Sequence, residues 1–335
     1  MNAPLGWGII GIGNIVESTI APAMNAEPSC KLIAATSREA ARAHEFCARF
    51  GASDAYTDYR AMLENPAVDA VFIATPNAIH ADQVVLAAEH GKHVMCDKPL
   101  ATTAEDAHRA VTACEQAGVF LGINFHNRYL MWPERVRELI SSGEIGRVLS
   151  VQAEVGSGPR DYTNWRADPE LAGMGAVFNV GVHIFDLIGW MIDSEPVAAS
   201  AVTDRHPLDR TTLVTIRFGD GTLAQVNCNE SVPHPRNDLI LHGERGRIIA
   251  HNLTRARESG RLEVVTAAGT TVTEMPAPEA HRLCVRGFAD AVLAGRRPEP
   301  SGRDGLRSME LCAAIDRSVR YAETAHVDQR YQEGP

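Results

Sequence analysis

The sequence predicts an α/β protein of two domains, a doubly wound parallel sheet followed by an α/β domain built on an open, largely antiparallel sheet. Three observations predict it. The stretch Val68–Leu100 reads strand, helix, strand, the repeating unit of a parallel sheet. A spaced glycine pair follows the first apolar run directly and leads into helical sequence. Between Val197 and Thr273, apolar and polar residues alternate in runs of four to eight, as in antiparallel strands with one covered face.

In chain order, Trp7–Ile10 is an apolar strand and Gly11-Ile12-Gly13-Asn14-Ile15-Val16 follows it. Gly11 permits a tight turn and Gly13 lets a pyrophosphate approach the backbone. Asn14 and Ile15 then open a helix whose first N–H groups and positive dipole end suit the anion. This is the opening of a Rossmann dinucleotide-binding domain. Val16 stands where the third glycine is usual, which holds helix and strand slightly farther apart. Pro22 removes the bond to Ser18, so the first helix is expected to be short or kinked. The next strand, Lys31–Thr36, ends in Ser37-Arg38 rather than in the acid that accepts from the ribose 2′-hydroxyl of NAD. Ser37 can donate to a 2′-phosphate, Arg38 can grip it bidentately and Arg42 lies one helical turn on. NADP is therefore the expected cofactor, with NAD as the alternative; the competing reading of Arg38 is a solvated surface arginine.

After Gly51 the segment to Asn65 reads as a short strand and a helix. In Val68–Leu100, Ala70–Ala74 is a buried strand ended by Thr75-Pro76-Asn77, His80–His90 is a helix closed by Gly91, and His93–Cys96 is a second strand. Ligands sit beyond the carboxyl ends of such strands, so Thr75-Pro76-Asn77 and Asp97-Lys98-Pro99 are expected to face one crevice. Ala104–Gly118 is an amphipathic helix and Phe120–Asn124 the last strand of this part. The expected division is 1–124 and 125–335, with no low-complexity linker between.

Trp132–Ser142 reads as a helix and Arg147–Val155 as a strand. The loop Gly156–Asp168 embeds Tyr162, Trp165 and Arg166 in Gly, Pro and Asp; it is either a ligand wall or a lid tucked onto its own domain. Gly219–Gly221 fits a hairpin connection between alternating runs. Helices at Gly173–Trp190, Glu279–Ala294 and Asp304–Ala322 are available to cover one face of the resulting sheet. Within the first of them, Asn179, His183 and Asp186 are spaced i, i+4 and i+7, one polar stripe on an apolar helix with Gly181 opposite. A lone histidine in such a place is either a satisfied core residue or a proton carrier. His183 with Asp186 has metal-compatible spacing, but no further ligand pair accompanies it, and no metal is expected.

A net charge of -10, without a Lys/Arg block, excludes nucleic acid and anionic membrane as expected partners and leaves small molecules. Seven cysteines without a Cys-x-x-Cys pair read as reduced thiols and point to a cytoplasmic location. Neither an export signal nor a run of 18 apolar residues is found, so export and membrane insertion are not expected.

The strand end ATPNAIH, the following GKHV, the Lys-Pro pair after an acid and the segment Gly173–Asp186 together resemble the glucose-fructose oxidoreductase/inositol dehydrogenase (Gfo/Idh/MocA) family over nearly the whole chain. Its Glu-Lys-Pro is Asp97-Lys98-Pro99 here, Met174 replaces a glycine, and Asn179 replaces an aspartate. The resemblance implies an NAD(P)-dependent dehydrogenase or reductase of sugars or polyols, and its subgroup resembles 1,5-anhydrofructose reductases and NADP-linked sugar dehydrogenases. It implies cofactor contacts at Gly11, Gly13, Asn14, Ile15, Ser37, Arg38, Thr75, Pro76, Asn77, His80, Asp97, Lys98, Asn124, Trp165 and Arg166. Substrate contacts are implied at Arg128, Tyr162, Trp165, Asn179 and His183. Proton handling falls to Lys98 and His183, with Asp186 fixing the imidazole tautomer and Asn179 orienting the ring or binding a hydroxyl. A homo-oligomer, dimer or tetramer, is implied through the second face of the sheet, for which solvent exposure is the other reading. Two rival functions remain: a redox-cycling glycosidase or lyase that retains its NAD, and a non-catalytic sugar or nucleotide sensor.

Overall fold

The computed structural model describes residues 3–252, 259–276 and 279–329, so the part of the alternating region at 253–258 lies outside the described residues. The chain divides into two compact units, 1–125 with 281–306, and 126–280 with 307–335.

The first unit is built on a six-stranded parallel sheet in the order β3-β2-β1-β4-β5-β6. Its strands are β1 (Leu5–Ile10), β2 (Cys30–Thr36), β3 (Asp54–Tyr56), β4 (Ala70–Ile73), β5 (His93–Cys96) and β6 (Leu121–Ile123). The four central strands are almost wholly apolar because helices cover both faces of a parallel sheet. Strand order reverses between β1 and β4, where Ile10 pairs with Ile73, and ligands bind beyond such a reversal. The connecting helices are α1 (Ala21–Ala26), α2 (Ala40–Phe50), α3 (Tyr59–Leu63), α4 (His80–Glu89) and α5 (Ala104–Ala117). Thr103 caps α5 by accepting from the Asp106 N–H at 3.1 Å, and Gly118 ends it with a φ of +67°. The kink expected at Pro22 takes a definite form. A π turn, Val16–Ile20, closes with Ala21 N–H reaching back to Val16 O, and Pro22 then sits in the first turn of α1.

The division departs from a single cut after Asn124. Helix Ala280–Leu293 returns from late in the chain, and Phe288 on it packs against Trp7 of β1 in a tilted arrangement with ring centroids 5.3 Å apart. The Pro300 carbonyl accepts from Ile123 N–H at 3.1 Å, which ties 281–306 to β6. Apolar surface on the β1 and β6 side needs a cover, and this late segment supplies it.

The second unit holds a nine-stranded sheet in the order β14-β13-β12-β11-β7-β10-β9-β8-β15, antiparallel except where β7 (Val148–Gly156) pairs with β10 (Leu223–Asn229). The others are β8 (Pro196–Thr203), β9 (Thr211–Phe218), β11 (Leu239–Gly243), β12 (Gly246–His251), β13 (Gly260–Thr266), β14 (Gly269–Met275) and β15 (Ala325–His326). β9 and β10 form the expected hairpin about Gly219–Gly221, with Leu223 opposite Arg217. Alternation is strict in β9: Thr212, Val214, Ile216 and Phe218 are buried while Leu213, Thr215 and Arg217 face out. Each buried Val, Ile or Phe contributes roughly 1.5–3 kcal/mol, so a one-residue slip of register is strongly disfavoured.

Helix α6 (Met131–Ser141) and the helical segment after Pro169 belong to this unit. The helix expected over Gly173–Trp190 starts a few residues later and opens in a π turn, and a separate short helix precedes it. After α7 (Pro169–Ala172), Gly173 turns with a φ of +78°, and the chain resumes in a π turn, Val177–Gly181, that runs into α8 (Val182–Ile192). Asp209 enforces the break. Its carboxylate, 2% exposed, accepts from Gly175 N–H at 2.7 Å, Val177 N–H at 3.0 Å and Thr212 Oγ at 2.7 Å. A Cβ on Gly175 would lie 1.9 Å from the Asp209 carbonyl oxygen, so only glycine fits there. The run Pro169–Ile192 is long and apolar enough to cross a membrane by length and composition, but 67% of its most apolar stretch is buried within the fold, as in a core helix.

Candidate active site

In the first unit, Gly11 turns the chain after β1 with a φ of +94°, and a Cβ there would lie 2.8 Å from Thr75 Cγ2 and 2.9 Å from the Ala74 carbonyl oxygen. Only glycine combines that φ with that approach. At Gly13 an added Cβ would meet nothing nearer than the Ala74 oxygen at 3.8 Å, which leaves the backbone open to a close-packed group. The helical run 14–26 starts immediately after it, so the N–H groups of Asn14 and Ile15 belong to the first turn, which has no intrahelical acceptor and suits an anion.

At the end of β2, Ser37 Oγ accepts from Glu39 N–H at 3.3 Å, and Arg38 is exposed with no ion pair among the described residues. Arg42 is engaged elsewhere: it donates to Glu17 on the π turn at 3.2 Å, and Arg49 joins at 3.5 Å. These exposed pairs are worth little, about 0–1 kcal/mol each.

Around the lysine, Asp97 Oδ1 accepts from Lys98 N–H at 3.0 Å and from Asn124 Nδ2 at 3.2 Å, so the carboxylate shapes the turn that carries the half-buried Lys98. Thr75 Oγ donates to Gln83 Oε1 at 2.6 Å. His80, placed by the sequence among the cofactor contacts, is 1% exposed; its Nδ1 lies 2.8 Å from Pro99 O and its Nε2 2.9 Å from Thr75 O. Burial lowers its pKa. Both ring nitrogens face backbone carbonyls, so His80 braces the turns after β4 and β5 and shapes the site indirectly. Pro76 is half-buried and Asn77 buried at the same strand end.

The residues present fit a nicotinamide dinucleotide. Asn124 is 1% exposed and its Oδ1 has no hydrogen-bond partner among the described residues, a buried acceptor of the kind a carboxamide N–H satisfies. Gly11 and Gly13 form an open turn with room for a phosphate, and Arg38 at the end of β2 makes no ion pair among the described residues.

In the second unit, Arg128 and Asp186 form a bidentate ion pair, Nε to Oδ2 at 2.8 Å and Nη2 to Oδ1 at 2.5 Å, with side chains 7% and 3% exposed. The Arg128 guanidinium also lies 5.5 Å from the Trp190 ring. Arg128, expected on substrate, and Asp186, expected to fix a tautomer, are thus joined to each other in a buried structural pair. His183 is half-buried, with its ring edge-on to His126 at 4.9 Å. The stripe expected from 3.6-residue spacing does not hold as drawn, because Asn179 lies inside the wider π turn and His183 beyond it.

Asn179 Nδ2 instead donates to Glu230 Oε2 at 3.2 Å. Glu230 Oε1 accepts from Tyr162 Oη at 2.7 Å and Ser157 Oγ at 3.2 Å. Burial and the Glu230 carboxylate push the Tyr162 phenol well above its usual range, so this tyrosine stays protonated. Arg166 stacks over Trp165 at 4.2 Å and lies 6.0 Å from the Tyr162 ring. A cavity of about 370 Å³ opens here, lined by Tyr162, Arg166, Asn179, Arg205, Arg210 and Glu230 among others, which is ligand-sized. His183 and Trp165 lie outside that lining. Of the candidates in this unit the structure therefore gathers Tyr162, Arg166 and Asn179. Sequence reasoning missed Glu230 and Asp209, whose only trace was an acidic residue beside a strand end. No group of three or more potential metal-binding side chains occurs among the described residues.

Residues 5–125 match an oxidoreductase family with an NAD-binding Rossmann fold, and residues 134–249 match the C-terminal domain of the same Gfo/Idh/MocA group. A D-xylose 1-dehydrogenase (NADP(+)) of Haloferax volcanii is 30% identical over 327 residues, covering 96% of this chain and 99% of its own. The chain belongs to the Gfo/Idh/MocA oxidoreductase family. A 1,5-anhydro-D-fructose reductase of Ensifer adhaerens is 26% identical over 96% of this chain and 98% of its own length. Among solved structures, an aldose-aldose oxidoreductase from Caulobacter crescentus complexed with glycerol superposes with a TM-score of 0.89 at 26% identity, covering 96% of this chain and 99% of that one. A 3-ketoreductase from Actinomadura kijaniata, in complex with NADP and TDP-benzene, gives 0.85 at 27% identity over 94% and 98%. As a Gfo/Idh/MocA member the chain is an NAD(P)-dependent oxidoreductase acting on CH–OH groups, and its first unit is the NAD(P)-binding Rossmann domain.

Proposed function

We propose that this oxidoreductase prefers NADP over NAD and acts on a carbon of a sugar, anhydrosugar or polyol, with Lys98 and His183 handling the proton. The observation that carries the reading is Lys98 on a turn whose conformation is fixed by Asp97, Asn124 and His80. When bound, the nicotinamide accepts or delivers the hydride, and the chain's residues must move the matching proton. Lys98 polarises the reacting oxygen with its ammonium charge. His183, whose imidazole can both accept and donate a proton, carries the proton onward. Exposed Arg38 and Ser37 bind the 2′-phosphate, as the NADP-linked names of two relatives support.

The exposed cross-strand pair Val202 and Leu213, with Leu223 on the next strand, supports a homo-oligomer, dimer or tetramer, through the outer sheet face. A panel of sugars, anhydrosugars and polyols with NADP tests the functional reading: net NADPH formation supports it, and bond cleavage without net NADPH would assign the redox-cycling alternative.

A further inference from the structure

The carboxylate that position 179 lacks is present 51 residues later in sequence, on Glu230. Glu230 is 3% exposed and, among the described residues, its carboxylate takes part in no ion pair; its oxygens are met by three neutral donors, Asn179 Nδ2, Tyr162 Oη and Ser157 Oγ. A buried carboxylate met only by neutral donors is costly to hold, which points to a use. Its effect on Asn179 follows from donor and acceptor inventories. A carboxylate only accepts, so the amide must present Nδ2 to it, which leaves Oδ1 as the atom offered to any further partner. An amide held this way is an acceptor polarised by a full negative charge behind it.

We propose that Glu230 is a positioning residue for proton transfer in this enzyme: it fixes the Asn179 amide so that Oδ1 is the acceptor presented to the imidazole or to a substrate hydroxyl, and it supplies the negative charge that an asparagine cannot carry. The assignment rests on the functional reading above. Tyr162, whose proton is held by the same carboxylate, presents its oxygen as an acceptor and keeps Oε1 of Glu230 in place.

The test is a carboxylate–amide exchange, read by steady-state kinetics with NADP and by thermal unfolding of the full chain. In E230Q, the glutamine oxygen keeps Tyr162 and Ser157 and its NH2 group is turned on Asn179. The Asn179 amide must flip, and kcat is expected to fall on the order of 10²-fold, the loss that misplacement of a catalytic group produces, while NADPH affinity is unchanged. In N179D, two adjacent carboxylates must share a proton, and both kcat and Tm fall. In the double variant N179D/E230Q the pair is rebuilt in reverse, and most of the lost kcat and Tm returns. E230Q with wild-type kcat, or a double variant as impaired as the two single variants multiplied, overturns the assignment even if Tm recovers. A wild type that turns over no sugar overturns the functional reading and this assignment together, whereas an active wild type with an indifferent E230Q overturns this assignment alone.

Discussion

Removing one partner of the Arg128–Asp186 pair is expected to destabilise the protein far more than removing both. Asp186→Ala leaves the Arg128 guanidinium with its side chain 7% exposed and without the two short bonds, 2.8 and 2.5 Å, that now compensate its desolvation. Breaking a buried pair on one side costs about 3–5 kcal/mol. For a cooperative unit of 150–250 residues, 1 kcal/mol corresponds to roughly 2–4 °C, so Tm should fall by about 6–20 °C. Stacking of Arg128 on Trp190 and the burial of both side chains place the value in the upper half of the energy range. The double variant Arg128→Met/Asp186→Leu removes both charges, keeps most of the volume and should recover the greater part of the loss. Thermal unfolding followed by circular dichroism, with denaturant midpoints as a second measure, reads all three variants. An Asp186→Ala variant that melts within about 2 °C of wild type, less than 1 kcal/mol, would refute the structural role given to this pair.

Direct titration should show NADPH binding roughly 10- to 100-fold more tightly than NADH, the equivalent of one charged hydrogen bond of about 1.5–3 kcal/mol to Arg38; Ser37→Asp should reverse the order, and tighter NADH binding by the native protein would discard the role of this turn. Burial raises the thiol of Cys30 to about 11 and that of Cys114 to about 12. A raised pKa keeps a thiol protonated until the pH approaches it, so near pH 8 only about one Cys30 in 10³ is thiolate. Iodoacetamide should leave the native protein unlabelled by mass spectrometry at that pH and label it in denaturant; rapid native labelling of either cysteine would contradict the burial.

The parallel sheet was legible because its strands are short apolar runs ended by turn residues, and Gly11 and Gly13 announce the tight turn after β1 by spacing alone. The hairpin at Gly219–Gly221 was legible for the same local reason. The two π turns were not. Val16–Ile20 and Val177–Gly181 carry side-chain patterns indistinguishable from α-helix: Pro22 signals a kink but not its form, and the Asp209 carboxylate that holds Val177 N–H lies 32 residues away. Helix Ala280–Leu293 was expected to cover the antiparallel sheet and instead packs in the first unit, where Phe288 meets Trp7, because nothing local in its sequence marks which sheet it covers. His80 read as part of a binding motif because its partners, Pro99 O and Thr75 O, are main-chain atoms that leave no mark in a sequence. Glu230 was not singled out at all, since its partners Tyr162 and Asn179 are 68 and 51 positions away.

The central claim, an NADP-linked sugar or polyol oxidoreductase that uses Lys98, is tested most directly by turnover of wild type and Lys98→Ala on a responsive sugar, followed by nicotinamide absorbance and paired with a cofactor titration. Wild type should form one NADPH per sugar oxidised, and Lys98→Ala should bind NADPH with near-native affinity while turning over about 10²–10⁴-fold more slowly, the range for loss of a positioned proton-transfer group. Near-native turnover by Lys98→Ala, or sugar conversion with no net NADPH, would contradict the account.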